Sequence, residues 1–88
     1  MGEIASERVV ILGAGRVATH LAPALMEAGC NITQIWSRTL VSAQQLAESL
    51  GVSYTNNLNE IVTDADVYIL CVSDEALSFV SEKLVAIV

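Results

Sequence analysis

The stretch RVVILGAGRVA, residues 8–18, decides the fold of this chain. It joins a short apolar run, residues 8–12, to two glycines, Gly13 and Gly15. An apolar run of this length that ends at glycine is typical of a strand covered on both faces of a parallel sheet. Beyond Gly15 the apolar residues recur at helical intervals, so the stretch predicts a strand, a tight glycine turn and a helix.

The predicted first helix ends at Gly29, which supplies a stop signal. Its expected buried face consists of Val17, Leu21, Ala24, Leu25 and Ala28. Pro23 lies inside this helix, where it removes one backbone hydrogen bond and crowds the carbonyl group of Thr19. We therefore expect a bend at Pro23.

Strands and helices continue to alternate along the rest of the chain. The pattern predicts a strand over residues 32–37, a helix over 40–50, a short edge strand over 52–54 and a strand over 67–72. Strands joined through helices require right-handed crossovers and therefore a parallel sheet. The expected fold is an α/β, doubly wound parallel sheet of the Rossmann-like type, with strand order 3-2-1-4.

Two further segments carry helix-start signals. Asn57 and Glu60, three residues apart, predict a capped helical turn through Leu58, Ile61 and Val62. Ser73 and Asp74 are expected to cap a last helix, whose apolar face consists of Leu77, Val80, Leu84 and Ile87.

The strand predicted over residues 67–72 lies at an edge of this sheet, and it carries no charge or proline that would prevent further pairing. We expect a fifth strand to pair there, from polypeptide beyond Val88 or from a second copy of the chain. Residues 1–88 are thus interpreted as one domain, incomplete at its C-terminal end and without a substrate domain. A homo-oligomer is the expected assembly.

Composition excludes several function classes. The 88 residues carry a net charge of −6 with only four lysines and arginines, which argues against nucleic acid as a partner. No apolar run approaches the roughly 18 residues that would cross a bilayer, and no signal peptide is visible, so we expect a cytoplasmic protein that does not bind membranes. Cys30 and Cys71 lack metal-ligand spacing and are expected to be free thiols, with no metal site.

The glycine turn has the form G-x-G-x-x-A between a strand and a helix, which is the context of a dinucleotide-binding loop. Gly13 permits the tight turn, Gly15 allows a pyrophosphate to approach the backbone, and Ala18 keeps the helix close to the sheet. The predicted phosphate-binding residues are Gly13, Ala14, Gly15, Arg16 and Val17. The alternative is a glycine turn that binds no ligand.

Ser37, Arg38 and Thr39 follow the second predicted strand, where domains that prefer NAD usually carry an acidic residue for the adenosine ribose. A guanidinium and two hydroxyls are suited to a 2′-phosphate, so these three residues predict that the cofactor is NADP. The alternative is that Ser37 and Thr39 only cap the helix that follows.

The segments RVVILGAGRVA, WSRT and CVSDEAL resemble the N-terminal domain of Rossmann-like NADP oxidoreductases related to pyrroline-5-carboxylate reductase and to deazaflavin-dependent NADP reductases. The resemblance covers nearly the whole chain. It implies that Gly13–Val17 hold the pyrophosphate, that Ser37–Thr39 hold the 2′-phosphate, and that Val72 and Ser73 lie along the cofactor toward the nicotinamide. It also implies a helical C-terminal domain that binds a small-molecule substrate, commonly across a dimer.

No catalytic pair is visible in the sequence, so the catalytic residues are unknown. His20 is interpreted as a partly exposed helix residue and Cys71 as a core residue, while Asp74 and Glu75 are expected to favour the start of the last helix. The leading hypothesis is the cofactor domain of an oxidoreductase that transfers hydride between NADP and a small substrate. The alternatives are a non-enzymatic NADP(H)-responsive sensor or regulatory domain and a structural domain without a ligand.

Overall fold

The computed structural model describes residues 8–72 and Val80. One parallel sheet has the order β3-β2-β1-β4 and consists of strands β1 (Arg8–Leu12), β2 (Asn31–Trp36), β3 (Ser53–Thr55) and β4 (Val67–Leu70). The connections contain helix α1 (Arg16–Glu27), helix α2 (Leu40–Leu50) and a 3-10 helix (Leu58–Glu60). The predicted fold class and strand order are confirmed.

Several boundaries differ from the predictions by one or two residues. β2 begins and ends one residue earlier than predicted, β3 ends at Thr55, and β4 ends at Leu70. The last predicted helix and its caps lie outside the described residues, except for Val80, which is helical and buried. No helix in the described part of the chain is long and apolar enough to span a membrane.

The sheet has an apolar cluster on each face, because the buried residues of β1 alternate between the two sides. Val9 and Ile11 pack on one side with alanines and leucines of α1 and α2. Val10 and Leu12 pack on the other side with Trp36 and Val80 among others. This double covering explains why β1 reads as an uninterrupted apolar run.

The predicted buried face of α1 was largely wrong. The helix buries Ala18 and Ala22 against the sheet, whereas Val17 keeps 67% of its surface exposed and Ala24 is also exposed. Only Leu25 of the predicted set packs against the core cluster of this face. Small residues face the sheet because they allow the helix to approach it closely, and a pattern based on the larger apolar residues cannot detect this. α1 runs unbroken through Pro23.

The connection between β3 and β4 is held by side-chain hydrogen bonds. Asn57 accepts a bond from the backbone N–H of Asn59 (2.9 Å), as expected of a cap. The Glu60 carboxylate does not accept from the Asn57 backbone N–H; it accepts from the Thr55 hydroxyl (2.7 Å), so the reciprocal part of the predicted capping pair was wrong. The hydroxyl of Thr55 in turn accepts from the Asn57 backbone N–H (3.0 Å).

Gln34 fixes this connection to the middle of the sheet. It is buried in β2, and its amide nitrogen donates to the carbonyl oxygen of Glu60 (3.1 Å) while its amide oxygen accepts from the N–H of Val62 (3.0 Å). Tyr68 adds two bonds, because its hydroxyl donates to the Val62 carbonyl (2.6 Å) and accepts from the Ala65 N–H (3.2 Å). The path from β3 to β4 is therefore determined by polar contacts as well as by the apolar cluster beneath it.

Candidate functional site

A cleft of about 470 Å³ opens at the carboxyl ends of β1 and β2, between the starts of α1 and α2. This is the edge at which open parallel sheets bind ligands. Its lining residues are Gly13, Ala14, Gly15, Trp36, Ser37, Arg38, Thr39, Ser42, Cys71 and Val72.

Gly13 forms the floor of the cleft, where three strands meet. Its N–H donates to the carbonyl oxygen of Trp36 (2.6 Å), and the neighbouring Leu12 carbonyl accepts from the N–H of Cys71 (2.7 Å). Gly13 has φ +125°, and a Cβ atom at this position would overlap the carbonyl oxygen of Cys71. Both the backbone conformation and the close approach of the chain after β4 therefore require glycine.

Gly15 has a different physical role. Its φ of −82° is accessible to other residues, and a Cβ atom at Gly15 would meet no protein atom within 4 Å. Gly15 is the N-cap residue of α1, where no side chain caps the helix and no acidic residue lies in the first turn. The free N–H groups of this helix start and the open space before them suit a bound anion.

The opposite wall of the cleft follows β2. Ser37 is 9% exposed; its N–H donates to the Thr55 carbonyl (3.2 Å), and its hydroxyl accepts from the N–H of Thr39 (3.4 Å). Thr39 is the N-cap residue of α2, but its side chain makes no capping hydrogen bond. Arg38 is exposed and forms no ion pair with any residue in the described ranges. The Arg38 and Thr39 side chains are therefore available to a ligand.

The electrostatic character of the cleft is opposite to that of the whole chain. Arg38 is the only charged residue among the described residues that line it, although the net charge of the protein is −6. Burial raises the pKa of the Cys71 thiol above its ordinary value, so this side chain stays neutral at pH 7. A polyanion would therefore meet a cation and backbone N–H groups here, with no carboxylate from residues 8–72.

Seven of the predicted site residues line one cleft: Gly13, Ala14, Gly15, Ser37, Arg38, Thr39 and Val72. Arg16 and Val17 instead line a separate groove on the outer side of α1, together with the exposed His20. Ser73, like Asp74 and Glu75, lies outside the described residues.

Three lining residues were missed in the sequence: Trp36, Ser42 and Cys71. Ser42 could have been found, because it lies three residues after Thr39, the N-cap residue of α2, and so one helical turn beyond it. The buried indole N–H of Trp36 has no acceptor among the described residues. Within the same residues, no cluster of three or more histidine, cysteine or acidic side chains could hold a metal ion.

The strand order, the glycine turn after β1 and the cation after β2 define a Rossmann-like nucleotide-binding domain. The family model described as NADP oxidoreductase, coenzyme F420-dependent, matches residues 8–87. The chain belongs to this family, as the resemblance in its sequence motifs indicated, and is an NAD(P)-binding domain of the oxidoreductase type.

Similar proteins carry this domain within longer chains. A structure from Bacteroides fragilis described as an NADP oxidoreductase is 37% identical, with a TM-score of 0.90, over 96% of this chain and 33% of its own. The glutamyl-tRNA reductase of Staphylococcus carnosus is 33% identical over 94% of this chain and 19% of its own length. The human glucose-fructose oxidoreductase domain-containing protein 2 is 33% identical over 74% of this chain and 17% of its own. This chain thus spans a fifth or less of these two curated relatives.

Proposed function

We propose that the cleft binds NADP(H) and that the chain is the cofactor-binding domain of an oxidoreductase. In this proposal the backbone N–H groups of Gly13–Val17 hold the pyrophosphate, where the start of α1 has no side-chain cap. The observation that carries the preference for NADP is that Arg38 is the only charge among the described lining residues. A carboxylate in this wall would repel a 2′-phosphate, whereas a guanidinium binds it with charge-assisted hydrogen bonds.

The remaining wall residues complete the proposed 2′-phosphate site. Ser37 and Thr39 flank Arg38, and Ser42 adds a hydroxyl one helical turn further along α2. Thr39 supports this role because its side chain makes no capping hydrogen bond. Val72, and Ser73 beyond the described range, would follow the cofactor toward its nicotinamide.

The nicotinamide supplies the hydride chemistry, and the protein supplies binding and orientation. The reacting substrate is proposed to be a small molecule bound outside residues 1–88, because the relatives continue over much longer chains. The names of these relatives favour an enzyme over a regulatory module, and no observation in the described residues favours the regulatory alternative.

The experiment that tests this proposal measures the affinity of NADPH and NADH for the wild type and for Arg38→Gln by calorimetry. Loss of the guanidinium should weaken NADPH about ten- to a hundredfold, because a charge-assisted hydrogen bond contributes about 1.5 to 3 kcal/mol. NADH lacks the 2′-phosphate, so its affinity should change by less than about twofold.

Thr63→Asp is the matched control, because Thr63 is exposed, does not line the cleft, and its replacement also changes the net charge by one. Thr63 lies beside Asp64, which pairs with Arg8 at the amino end of β1 and so away from the cleft. Thr63→Asp should leave the affinities of both cofactors within about twofold of wild type. Equal losses of NADPH and NADH affinity in Arg38→Gln would remove the case for 2′-phosphate recognition.

A further inference from the structure

Helix α1 has two apolar sides, and the sheet covers only one of them. Ala18 and Ala22 face the sheet, while Val17, Leu21 and Ala24 lie along the outer side at helical spacing. A helix with apolar residues on both sides is normally covered on both. Among the described residues nothing covers the outer side of α1, and Val17 remains 67% exposed.

This outer side forms a shallow, mostly apolar groove of about 580 Å³, lined by Arg16, Val17, His20, Leu21 and Ala24. The helix has 12 residues and is therefore about 18 Å long. A groove of this length matches one face of a second helix of similar size.

The ends of α1 carry charges that oppose its own dipole. Arg16 lies in the first turn and Glu27 in the last, whereas a helix dipole favours an anion at the start and a cation at the end. The two residues are 11 positions apart, close to three turns, so they lie on the same edge of the groove. Neither forms an ion pair within residues 8–72.

We propose that the outer face of α1 binds the α1 helix of a second copy of this chain, antiparallel and related by a twofold axis. In this arrangement Val17 opposes Ala24 of the other copy, and the two Leu21 side chains meet near the axis. Arg16 of each copy then lies beside Glu27 of the other. Each helix thereby receives an anion at its start and a cation at its end, which the isolated helix lacks.

A second copy fits this face because the face complements itself in both shape and charge. The cation and the anion lie at opposite ends of one apolar stripe, so only an antiparallel partner with the same order of charges pairs both ends. The groove and the cleft have no lining residue in common, and only the backbone N–H groups of Arg16 and Val17 belong also to the proposed pyrophosphate site. One helix pair is a small interface, so we expect a weak, reversible dimer.

The experiment is sedimentation equilibrium from micromolar to millimolar protein, comparing wild type with Ala24→Glu and Met26→Glu. Ala24 lies in the groove, whereas Met26, 39% exposed, lies two residues further along and so nearly on the opposite side of the helix. Ala24→Glu should raise the dimer dissociation constant more than about tenfold, because it places a long charged side chain against Val17 of the other copy. Met26→Glu should change it by less than about twofold.

Exchanging the charges of Arg16 and Glu27 tests whether these two residues pair between the two copies. Glu27→Arg should weaken the dimer at low salt, because it replaces an attraction by a repulsion. Added salt screens this repulsion and should therefore strengthen the variant dimer, whereas it screens the attraction in the wild type. The double variant Arg16→Glu with Glu27→Arg restores opposite charges and should return the dissociation constant to within about threefold of wild type. Circular dichroism confirms that each variant is folded.

A monomer at millimolar concentration would overturn the proposal and leave the face for a different domain, such as the additional sequence of the longer relatives. A dimer that resists Ala24→Glu would also overturn it and would place the contact elsewhere, with the exposed edge of β4 as the next candidate.

Discussion

The cleft after β1 and β2 and the connection from β3 to β4 use their polar groups in opposite ways. In the connection, Thr55, Glu60 and Gln34 bond to one another or to nearby backbone. In the cleft, the start of α1 has no side-chain cap and Arg38 has no ionic partner among the described residues. The difference shows which part of the chain maintains the fold and which part retains hydrogen-bonding capacity for a ligand.

The two glycines of the turn provide the strongest test of this difference. Gly13→Ala should destabilise the protein by about 4 kcal/mol, because it combines an unfavourable backbone conformation with overlap of the Cys71 carbonyl. Gly15→Ala should change the free energy of unfolding by less than about 0.5 kcal/mol, since its new methyl group enters open space. Urea unfolding monitored by circular dichroism measures both values.

Gly15→Ala also distinguishes an effect on ligand binding from an effect on stability. The methyl group of Gly15→Ala would occupy the space proposed for the pyrophosphate, so NADPH affinity should fall at least about tenfold in a fully folded protein. Unchanged affinity in this variant would show that phosphate does not approach α1 at Gly15.

Gln34→Leu tests the connection from β3 to β4, which Gln34 holds by two side-chain hydrogen bonds. It leaves the Glu60 carbonyl and the Val62 N–H without their partner, which should cost about 2 to 3 kcal/mol in the free energy of unfolding. The control is Gln44→Leu, because Gln44 only bonds Glu48 on the exposed side of α2 and should contribute less than about 0.5 kcal/mol. Equal effects of the two substitutions would mean that the connection is held by its apolar contacts alone.

The smallest expected effect is the change that NADPH causes in the alkylation rates of the two cysteines. These cysteines lie at opposite ends of the sheet. Cys71 lines the cleft, whereas Cys30 precedes β2 at the amino end. In Cys30→Ala, NADPH at ten times its dissociation constant should slow alkylation of Cys71 about tenfold, because bound cofactor blocks access. In Cys71→Ala, alkylation of Cys30 should not respond to NADPH. Mass spectrometry measures both rates.

The pH dependence of this reaction follows from burial. The thiolate is the reactive form, and burial raises the pKa of Cys71, so its alkylation should be slow at pH 7. The rate should still increase at pH values above the ordinary pKa of a thiol. A rate that levels off below that value would contradict the burial of this side chain.

Local patterns predicted the order of the elements and most of the cleft. The run of residues 8–12, its two glycines and the return of helical spacing specified β1, the turn and the start of α1. Arg38, the cation after β2, was likewise predicted from the sequence alone. Cys71 was missed because its place in the cleft depends on the pairing of β4 with β1, which no local pattern records.

The sequence by itself determined the alternation of strands and helices, because the backbone preferences and apolar spacing of neighbouring residues suffice for it. Tertiary structure alone decided which side of α1 is buried, why Gly13 cannot carry a side chain, and which residues Gln34 joins. Each of these depends on contacts between residues far apart in the chain. Such contacts exist only once the helices pack on the sheet and the strands lie in register.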